Sequence, residues 1–145
     1  MPNPHVYGER FARLHEACRA RGLRMTPQRE ALLRVLSRAP RHLTADELLR
    51  GVRRMLPSVS AATIYRNAQQ LADAGVISTL DRPGALQYDP NQDQHHHFVC
   101  TACGRVFDVY LTRVSYQIDA RRSALGGARV ERCEVQLHGR CEGCR

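Results

Sequence analysis

The chain has 145 residues, of which 43% are hydrophobic and 25% charged, which excludes a largely disordered chain and allows one domain or two small ones. No apolar run approaches the ~18 residues that span a membrane, and the N-terminus lacks the basic and apolar stretches of a secretory signal, so we expect a cytoplasmic protein. The net charge of +8 is uneven, because residues 1–90 hold 14 Arg and 8 Asp or Glu whereas residues 91–145 hold 8 Arg and 6 acids, and this asymmetry indicates a polyanionic partner, nucleic acid first.

Four helices are predicted in the first half of the chain, each with an apolar stripe at helical spacing. Thr26 and Thr44 are the expected N-caps of the second and third helices, and the fourth begins after Ser58 or Ser60. Glycine or proline follows each of these segments and ends it. The predicted helices cover residues 9–21, 27–39, 45–56 and 61–74.

Two short β-prone runs follow, at residues 76–80 and 85–88, with good turn chemistry between them. Helices followed by such a hairpin predict a winged helix-turn-helix, in which the helix before the hairpin enters the major groove of DNA. The first turns of that helix offer side chains for phosphates and base edges, and an ordinary surface helix is the alternative. The candidate DNA-contacting residues are Ser60, Thr63, Tyr65 and Arg66.

A polar stretch that contains proline separates this region from a second, smaller one. We predict an α+β chain with a winged-helix DNA-binding domain over residues 1–89, a linker over 90–94 and a small α/β domain over 95–145. The small domain is predicted to hold strands at 98–100, 105–110 and 130–137 and a helix from Thr112 through Arg122. At about 50 residues, such a domain generally needs a metal ion or oligomerisation for stability.

Two CxxC pairs, separated by 37 residues, lie in the small domain. Each pair lets two sulfur atoms of one turn reach the same ion, and four thiolates match the tetrahedral preference of Zn²⁺. Such a site is closed and structural, and its binding energy becomes folding energy. Two redox dithiols are the alternative, although glycine and a strand follow the first pair where a redox motif would open a helix. The predicted zinc ligands are Cys100, Cys103, Cys141 and Cys144.

A second candidate metal site centres on three consecutive histidines. On a strand, His95 and His97 point to one face, so their imidazoles can chelate one ion. Asp108 on the neighbouring strand, Asp89 at the end of the hairpin and His42 before the third helix are further candidate ligands. If all five meet, the ion crosses the domain boundary and sets the angle between the domains. A mixed nitrogen and oxygen site suits Fe²⁺, Mn²⁺ or Zn²⁺ without choosing among them, and a chance histidine run in an exposed linker is the alternative.

Several segments resemble, in the same order, the ferric uptake regulator family of bacterial metalloregulators. They are residues 25–29 (MTPQR), 42–46 (HLTAD), 62–66 (ATIYR), the histidine-rich stretch leading into the first CxxC pair, and 139–144 (GRCEGC). The resemblance covers residues 10–144. It implies a homodimeric metal-dependent repressor that binds a palindromic operator in double-stranded DNA, with a dimerisation domain that carries structural zinc at the four cysteines. It also implies base reading around Tyr65 and Arg66, and regulatory Fe²⁺ or Mn²⁺ at His42, Asp89, His95, His97 and Asp108.

Within the family, two carboxylates distinguish the branches. The peroxide-sensing branch has aspartate at the positions of Asp89 and Asp108, as here, whereas the iron-responsive branch usually has glutamate. The resemblance therefore favours a repressor in which bound ferrous iron reacts with peroxide and a ligating histidine is oxidised, which releases DNA. An iron, manganese or zinc uptake regulator without peroxide sensing is the alternative.

A third metal site, seen in some members, would align with Gln94, His96, Ser115 and Cys133. Amide and hydroxyl side chains are poor ligands, so we do not expect this site, and His96 is either exposed or paired with Cys133. From other functional classes, a zinc-dependent hydrolase needs an open coordination position and a general base, and it leaves the basic helical half unexplained. A metal chaperone is the other alternative outside the family.

Overall fold

Helices dominate the N-terminal part of the chain and strands the C-terminal part. The computed structural model describes residues 4–82, 84–131 and 133–145, and the chain divides into unit 1, residues 1–92, and unit 2, residues 93–145. No helix in these described ranges is both long and apolar enough to cross a membrane. Each unit is described by itself below.

The helices of unit 1 pack around one hydrophobic core. They are α1 (Pro4–Ala20), α2 (Pro27–Arg38), α3 (Ala45–Arg53) and α4 (Ala61–Asp73). Thr26, Thr44 and Ser60 are the N-caps of the last three, each accepting a hydrogen bond from the backbone amide three residues on, which satisfies a donor that the helix leaves unpaired. The predicted caps at Thr26 and Thr44 are confirmed. Fully buried side chains of this core include Leu14, Leu32, Leu33, Leu36, Leu48, Ile64 and Leu71.

A three-stranded antiparallel sheet, the wing, completes unit 1. Its strands are β1 (Leu43–Thr44), β2 (Ser78–Arg82) and β3 (Ala85–Asp89), in the order β1-β3-β2. The predicted hairpin is confirmed, although β2 begins two residues later than expected. The two-residue strand β1 had no signal in the sequence. Pro83, in the predicted turn, lies outside the described residues.

Two side-chain contacts of α2 determine how the neighbouring helices sit on it. Arg29 is buried, and its guanidinium donates to the Arg24 carbonyl oxygen at 2.5 Å and to Gln70 Oε1 of α4 at 2.6 Å. Gly51 of α3 lies against Val35, so closely that a Cβ at Gly51 would fall 2.7 Å from Val35 Cγ1. The hydrogen bond from Arg29 to Gln70 thus attaches α4, the helix with the candidate DNA contacts, to α2.

Unit 2 contains a mixed three-stranded sheet. Its strands are β4 (His96–Cys100), β5 (Val106–Val109) and β6 (Gln136–Gly139), in the order β5-β4-β6. β5 is antiparallel to β4, whereas β6 is parallel to it. Gly104, at φ +71°, makes the turn from β4 to β5 in a conformation that glycine adopts without strain. A short 3-10 helix, Glu142–Cys144, follows β6.

Two predictions for unit 2 are wrong. The helix from Thr112 through Arg122 does not form, and residues 110–122 are exposed, without helix or strand. Leu111, Val114 and Ile118 do share one face at helical spacing, but all three side chains are exposed, so no buried face stabilises a helix here. The last strand, expected over 130–137, runs instead over Gln136–Gly139 because its hydrogen-bonded register with β4 begins at Gln136 opposite His97.

Candidate functional site

The four cysteines of the two CxxC pairs, the cysteine cluster, meet at one end of the unit 2 sheet. Cys100 ends β4 and Cys103 lies in the turn that follows it, while Cys141 precedes the short 3-10 helix and Cys144 is its last residue. The parallel pairing of β6 with β4 sets Gly139 opposite Cys100 and so delivers the chain end to the first pair. All four sulfur atoms lie within 4.8 Å of one another, and none of the six cysteines, all of which are among the described residues, forms a disulfide.

The spacing of these sulfurs fits a zinc ion. Cys103 Sγ and Cys141 Sγ are 3.8 Å apart. Tetrahedral Zn²⁺ with Zn–S bonds of about 2.3 Å places its sulfur ligands about 3.8 Å from one another. With four sulfur donors in reach there is no need for a water ligand, so the cluster suits a closed, structural zinc and gives no open position for catalysis.

Hydrogen-bond donors around the cysteine cluster stabilise the ionised, thiolate form of two of its sulfurs. Hydrogen bonds from the backbone amides of Cys141 and Cys103 hold the pKa of the Cys100 thiol at about 6, and the Arg105 guanidinium lowers the pKa of Cys103. Hydrogen bonding to Cys103 and Cys141 raises the pKa of Cys144 to about 12. Four adjacent thiols cannot all ionise without a compensating cation, and a divalent zinc ion supplies that compensation.

His95 and His97, the histidine pair, stand on one side of β4. Their Nε2 atoms are 3.1 Å apart. With metal–nitrogen bonds of about 2.1 Å, two nitrogens at this separation subtend about 95° at a single ion. Asp108, opposite His97 in the ladder with β5, brings its Oδ1 to 3.9 Å from His95 Nε2. Two imidazole nitrogens and one carboxylate therefore converge within unit 2.

The opposite nitrogens of the histidine pair meet oxygen atoms. His95 Nδ1 lies 2.7 Å from the Asp93 carbonyl oxygen, and His97 Nδ1 lies 3.2 Å from Glu134 Oε1. Because the Asp93 carbonyl oxygen can only accept, His95 Nδ1 is the donor and His95 Nε2 is the nitrogen with an available lone pair, the usual arrangement around metal-ligating histidine. Glu134 was not identified from the sequence. Glu134 reaches His97 because β6 pairs with β4 in a register that sets Gln136, two residues after Glu134, opposite His97. This register is a property of the sheet and has no pattern in the sequence.

Unit 1 holds the other two predicted ligands. His42 precedes β1 and Asp89 ends β3, and the pairing of Leu43 with Tyr88 sets them side by side. His42 Nε2 is 3.1 Å from Asp89 Oδ2, with both side chains buried. Asp89 Oδ1 accepts a hydrogen bond from the Asn91 amide at 2.8 Å, which orients the carboxylate. His42 and Asp89 thus offer one nitrogen and one oxygen atom to a metal ion, next to each other at the end of β3.

His96 points away from the histidine pair. It is buried, and its Nδ1 accepts a hydrogen bond from the Val135 amide at 3.1 Å, which ties the chain before β6 to β4. Gln94 and Ser115 are exposed and Cys133 is half-buried. The contact with Val135 gives His96 a structural role.

The predicted DNA-contacting residues lie on the first two turns of α4. The Ser60 and Thr63 hydroxyls are 2.8 Å apart, and Ser60 also accepts from the Thr63 amide, so both belong to the helix cap. Tyr65 is about one-third exposed and donates its hydroxyl hydrogen bond to Asp46 of α3. Arg66 is exposed. These positions form a polar, accessible edge on a helix whose other face is buried through Ile64, Ala68 and Leu71.

The comparisons with known proteins decide the family. Residues 20–138 match the family model described as "Ferric uptake regulator family". The chain belongs to this family. It is also 30% identical over 142 residues to the peroxide-responsive repressor PerR of Staphylococcus aureus strain Mu50, covering 97% of this chain and 93% of the relative. Membership of the ferric uptake regulator family makes the chain a metal-dependent regulator of transcription.

Solved structures of the ferric uptake regulator family share the fold. The Helicobacter pylori ferric uptake regulator superposes with a TM-score of 0.68 at 22% identity, covering 99% of this chain and 97% of that one. The Campylobacter jejuni peroxide stress regulator superposes with a TM-score of 0.64 at 26% identity, covering 90% and 96%.

Proposed function

We propose that this protein is a repressor whose binding to DNA depends on a divalent metal ion held jointly by unit 1 and unit 2. The observation that carries the proposal is the division of the donor atoms: His42 and Asp89 are paired within unit 1, and the histidine pair and Asp108 converge within unit 2. Neither set alone offers four or more ligands. A complete site requires both units.

The residues that would hold the regulatory ion are His42, Asp89, His95, His97 and Asp108. When bound, Fe²⁺ or Mn²⁺ would supply a common charge centre for these three imidazoles and two carboxylates. The carboxylates of Asp89 and Asp108 balance the two positive charges, so the effect on DNA binding comes from geometry more than from net charge. With the ligands engaged, the few residues between Asp89 and His95 can no longer act as a free hinge.

Recognition of double-stranded DNA is assigned to α4 and the wing. Unit 1 carries most of the positive charge of the chain, and such a surface attracts phosphates and steers association. We expect Tyr65 and Arg66 to contact base edges, and Ser60 and Thr63, at the helix N-terminus, to contact the phosphate backbone. We therefore expect affinity that falls steeply as the salt concentration rises.

We propose that the protein binds a palindromic operator as a homodimer, and the surface of unit 2 supports this proposal. Its residues 110–130, which lie outside helices and strands, expose large apolar side chains that would be covered in a dimer: Tyr110, Leu111, Val114, Tyr116, Ile118, Leu125 and Val130. Many exposed large apolar side chains in one segment are typical of an interaction site. A second copy of the same chain is the occupant we propose, because two recognition helices related by a two-fold axis match two half-sites.

The decisive experiment compares metal-loaded and metal-free protein on one operator. A palindromic duplex, selected from random sequences with the manganese-loaded protein, is titrated by fluorescence anisotropy with Mn²⁺ or with a weak chelator that leaves zinc bound. We expect at least about tenfold tighter binding with Mn²⁺, and loss of this difference in His97→Ala. His138→Ala, which removes an exposed histidine of β6, is the matched control. Equal affinity with and without Mn²⁺ would refute metal dependence.

We further propose that the regulatory ion in its ferrous form makes the protein a peroxide sensor. Aspartate at both carboxylate positions and the similarity to the peroxide-responsive repressor PerR support this branch. A peroxide pulse followed by mass measurement of the peptide with His95 and His97 tests it. One added oxygen on histidine with Fe²⁺, and none with Mn²⁺, is the expected result. No added oxygen in either state would favour an iron, manganese or zinc uptake regulator.

A further inference from the structure

Arg105 connects the two CxxC pairs of the cysteine cluster. It follows the Gly104 turn and precedes β5. Its Nε donates a hydrogen bond to Cys103 Sγ at 3.3 Å, and its Nη2 donates one to Cys141 Sγ at 3.3 Å. One guanidinium therefore contacts one sulfur from each pair, although the pairs are 37 residues apart in the chain.

Two further contacts hold the guanidinium in this position. Its central carbon lies 5.9 Å from the centre of the Phe107 ring, within the range of a cation–π interaction. On another side it occupies the space over Gly143, where an added Cβ would fall 3.0 Å from Arg105 Nη2. Gly143, the second of the two residues between Cys141 and Cys144, is thus small enough to leave room for the arginine side chain.

We propose that Arg105 is a positioning residue for the structural zinc. The arginine holds the two CxxC pairs at the spacing of zinc ligands and makes their sulfurs less reactive. Four thiolates around Zn²⁺ carry a net charge of about −2, and the guanidinium offsets one of these charges. Hydrogen bonds to a thiolate withdraw electron density from sulfur, so Cys103 and Cys141 become weaker nucleophiles while they remain bound to the metal.

Arginine suits this role for a reason of shape. Its planar group presents several N–H donors in a fixed fork, whereas lysine presents a single point of charge. A lysine at this position keeps the positive charge but cannot donate to two sulfurs 3.8 Å apart with the same geometry. Comparing arginine with lysine at position 105 therefore separates the effect of the two hydrogen bonds from the effect of the positive charge.

The test measures zinc release from the full-length, zinc-loaded protein. Iodoacetamide alkylates each sulfur, forming an S–C bond and expelling iodide, and a chromogenic chelator reports the zinc that is set free. We expect release about 10- to 100-fold faster in Arg105→Gln, the usual effect of losing an outer partner of a metal ligand, and an intermediate rate in Arg105→Lys. Arg140→Gln removes the same charge from the exposed residue next to Cys141 and should leave the rate unchanged.

Gly143→Ala provides an independent variant that keeps the arginine. Its methyl group displaces the end of a flexible side chain rather than backbone, so the fold is preserved while the guanidinium has to move and its contact with Cys141 lengthens. We expect modestly faster zinc release here as well. If Arg105→Gln fails to fold, Arg105→Lys and Gly143→Ala still test the proposal, because release at the wild-type rate in both variants would overturn it.

A spectroscopic signature separates this role from general stabilisation of the fold. In cobalt-substituted protein, the sulfur-to-metal charge-transfer band should move to lower energy in Arg105→Gln and Gly143→Ala, because sulfurs that accept no hydrogen bond release electron density more easily. Arg140→Gln should show the wild-type band. Equal rates and equal bands in Arg105→Gln and the wild type would overturn the proposal, as would an equal effect of Arg140→Gln.

Discussion

At the scale of single residues, the donor atoms owe their orientation to neighbouring backbone and carboxylate groups. The Asp93 carbonyl oxygen meets one nitrogen of His95, and Glu134 meets one nitrogen of His97. The Asn91 amide orients Asp89, and the Cys141 amide donates to Cys100. Such outer partners reduce the reorganisation that metal binding requires, because the ligand rotamers are already selected.

The ionisation of one residue, Glu47, makes the stability of the protein depend on pH. It closes the capping box of α3 and accepts a hydrogen bond from Arg41, which holds the pKa of Glu47 at about 2, below the ordinary 4.5. Because this pKa is lowered by folding, ionised Glu47 stabilises the protein above pH 4.5 and loses that effect as the pH falls toward 2. We expect Glu47→Gln to lower the free energy of unfolding by about 1 kcal/mol at pH 7, a modest value because Arg41 is half-exposed.

Urea unfolding followed by circular dichroism measures this effect. The difference between Glu47→Gln and the wild type should shrink as the pH falls below 4.5. Glu30→Gln, in an exposed pair with Arg34, is the control and should change stability by less than about 0.5 kcal/mol. A difference for Glu47→Gln that stays constant from pH 7 to pH 3 would contradict the assignment.

At the scale of secondary-structure elements, the close approach of α2 and α3 depends on one glycine. A Cβ at Gly51 would fall 2.7 Å from Val35 Cγ1, and the branched valine side chain has few alternative rotamers. We expect Gly51→Ala to destabilise the protein by about 1–3 kcal/mol, although alanine is the better helix former. Thermal unfolding measures the change.

The control for this prediction has the opposite sign. Within the described part of the chain, no neighbouring residue brings an atom within 4 Å of the position that a Cβ at Gly8 of α1 would take. Gly8→Ala should therefore stabilise the protein by about 0.5–1 kcal/mol, through helix propensity alone. If both substitutions raise the melting temperature, the packing argument for Gly51 is wrong.

At the scale of the whole molecule, the two units depend on different sources of stability. The four α-helices of unit 1 pack around a large apolar core. Unit 2 is small, and its C-terminal residues contact the rest of the unit at the cysteine cluster. We expect Cys141→Ser to lose zinc and to make residues 93–145 sensitive to protease, while the helical circular dichroism of unit 1 persists. Cys133→Ser, a half-buried cysteine outside the cluster, should retain zinc. Loss of the helical signal together with zinc would contradict this division.

Association of two chains also belongs to this scale. Ile118 is 45% exposed in a segment rich in exposed apolar side chains. Ile118→Asp would bury a charge in the proposed dimer interface, so we expect its dissociation constant to rise at least about tenfold. Sedimentation equilibrium measures the constant. Met55→Asp, at a 40% exposed methionine of unit 1, is the control, and dimers of wild-type strength in Ile118→Asp would exclude residue 118 from the interface.

Local features of the chain were predictable because their energies are local. The caps at Thr26 and Thr44 and the hairpin after α4 depend on neighbours only a few residues away. The CxxC spacing similarly shows that two sulfurs of one turn can share an ion. The helix expected at 112–122 does not form because its apolar side chains stay exposed, and a short helix without a packed face is marginal.

The sequence by itself therefore determined the helices, the metal-binding character of the cysteines and histidines, and membership of the ferric uptake regulator family. Tertiary structure decided which distant residues meet. Parallel pairing of β6 with β4 brings the last cysteines to Cys100 and Glu134 to His97, and the short strand β1 sets His42 beside Asp89. Strand pairing across tens of residues has no local pattern, since its energy comes from hydrogen bonds and burial that exist only after the chain has folded.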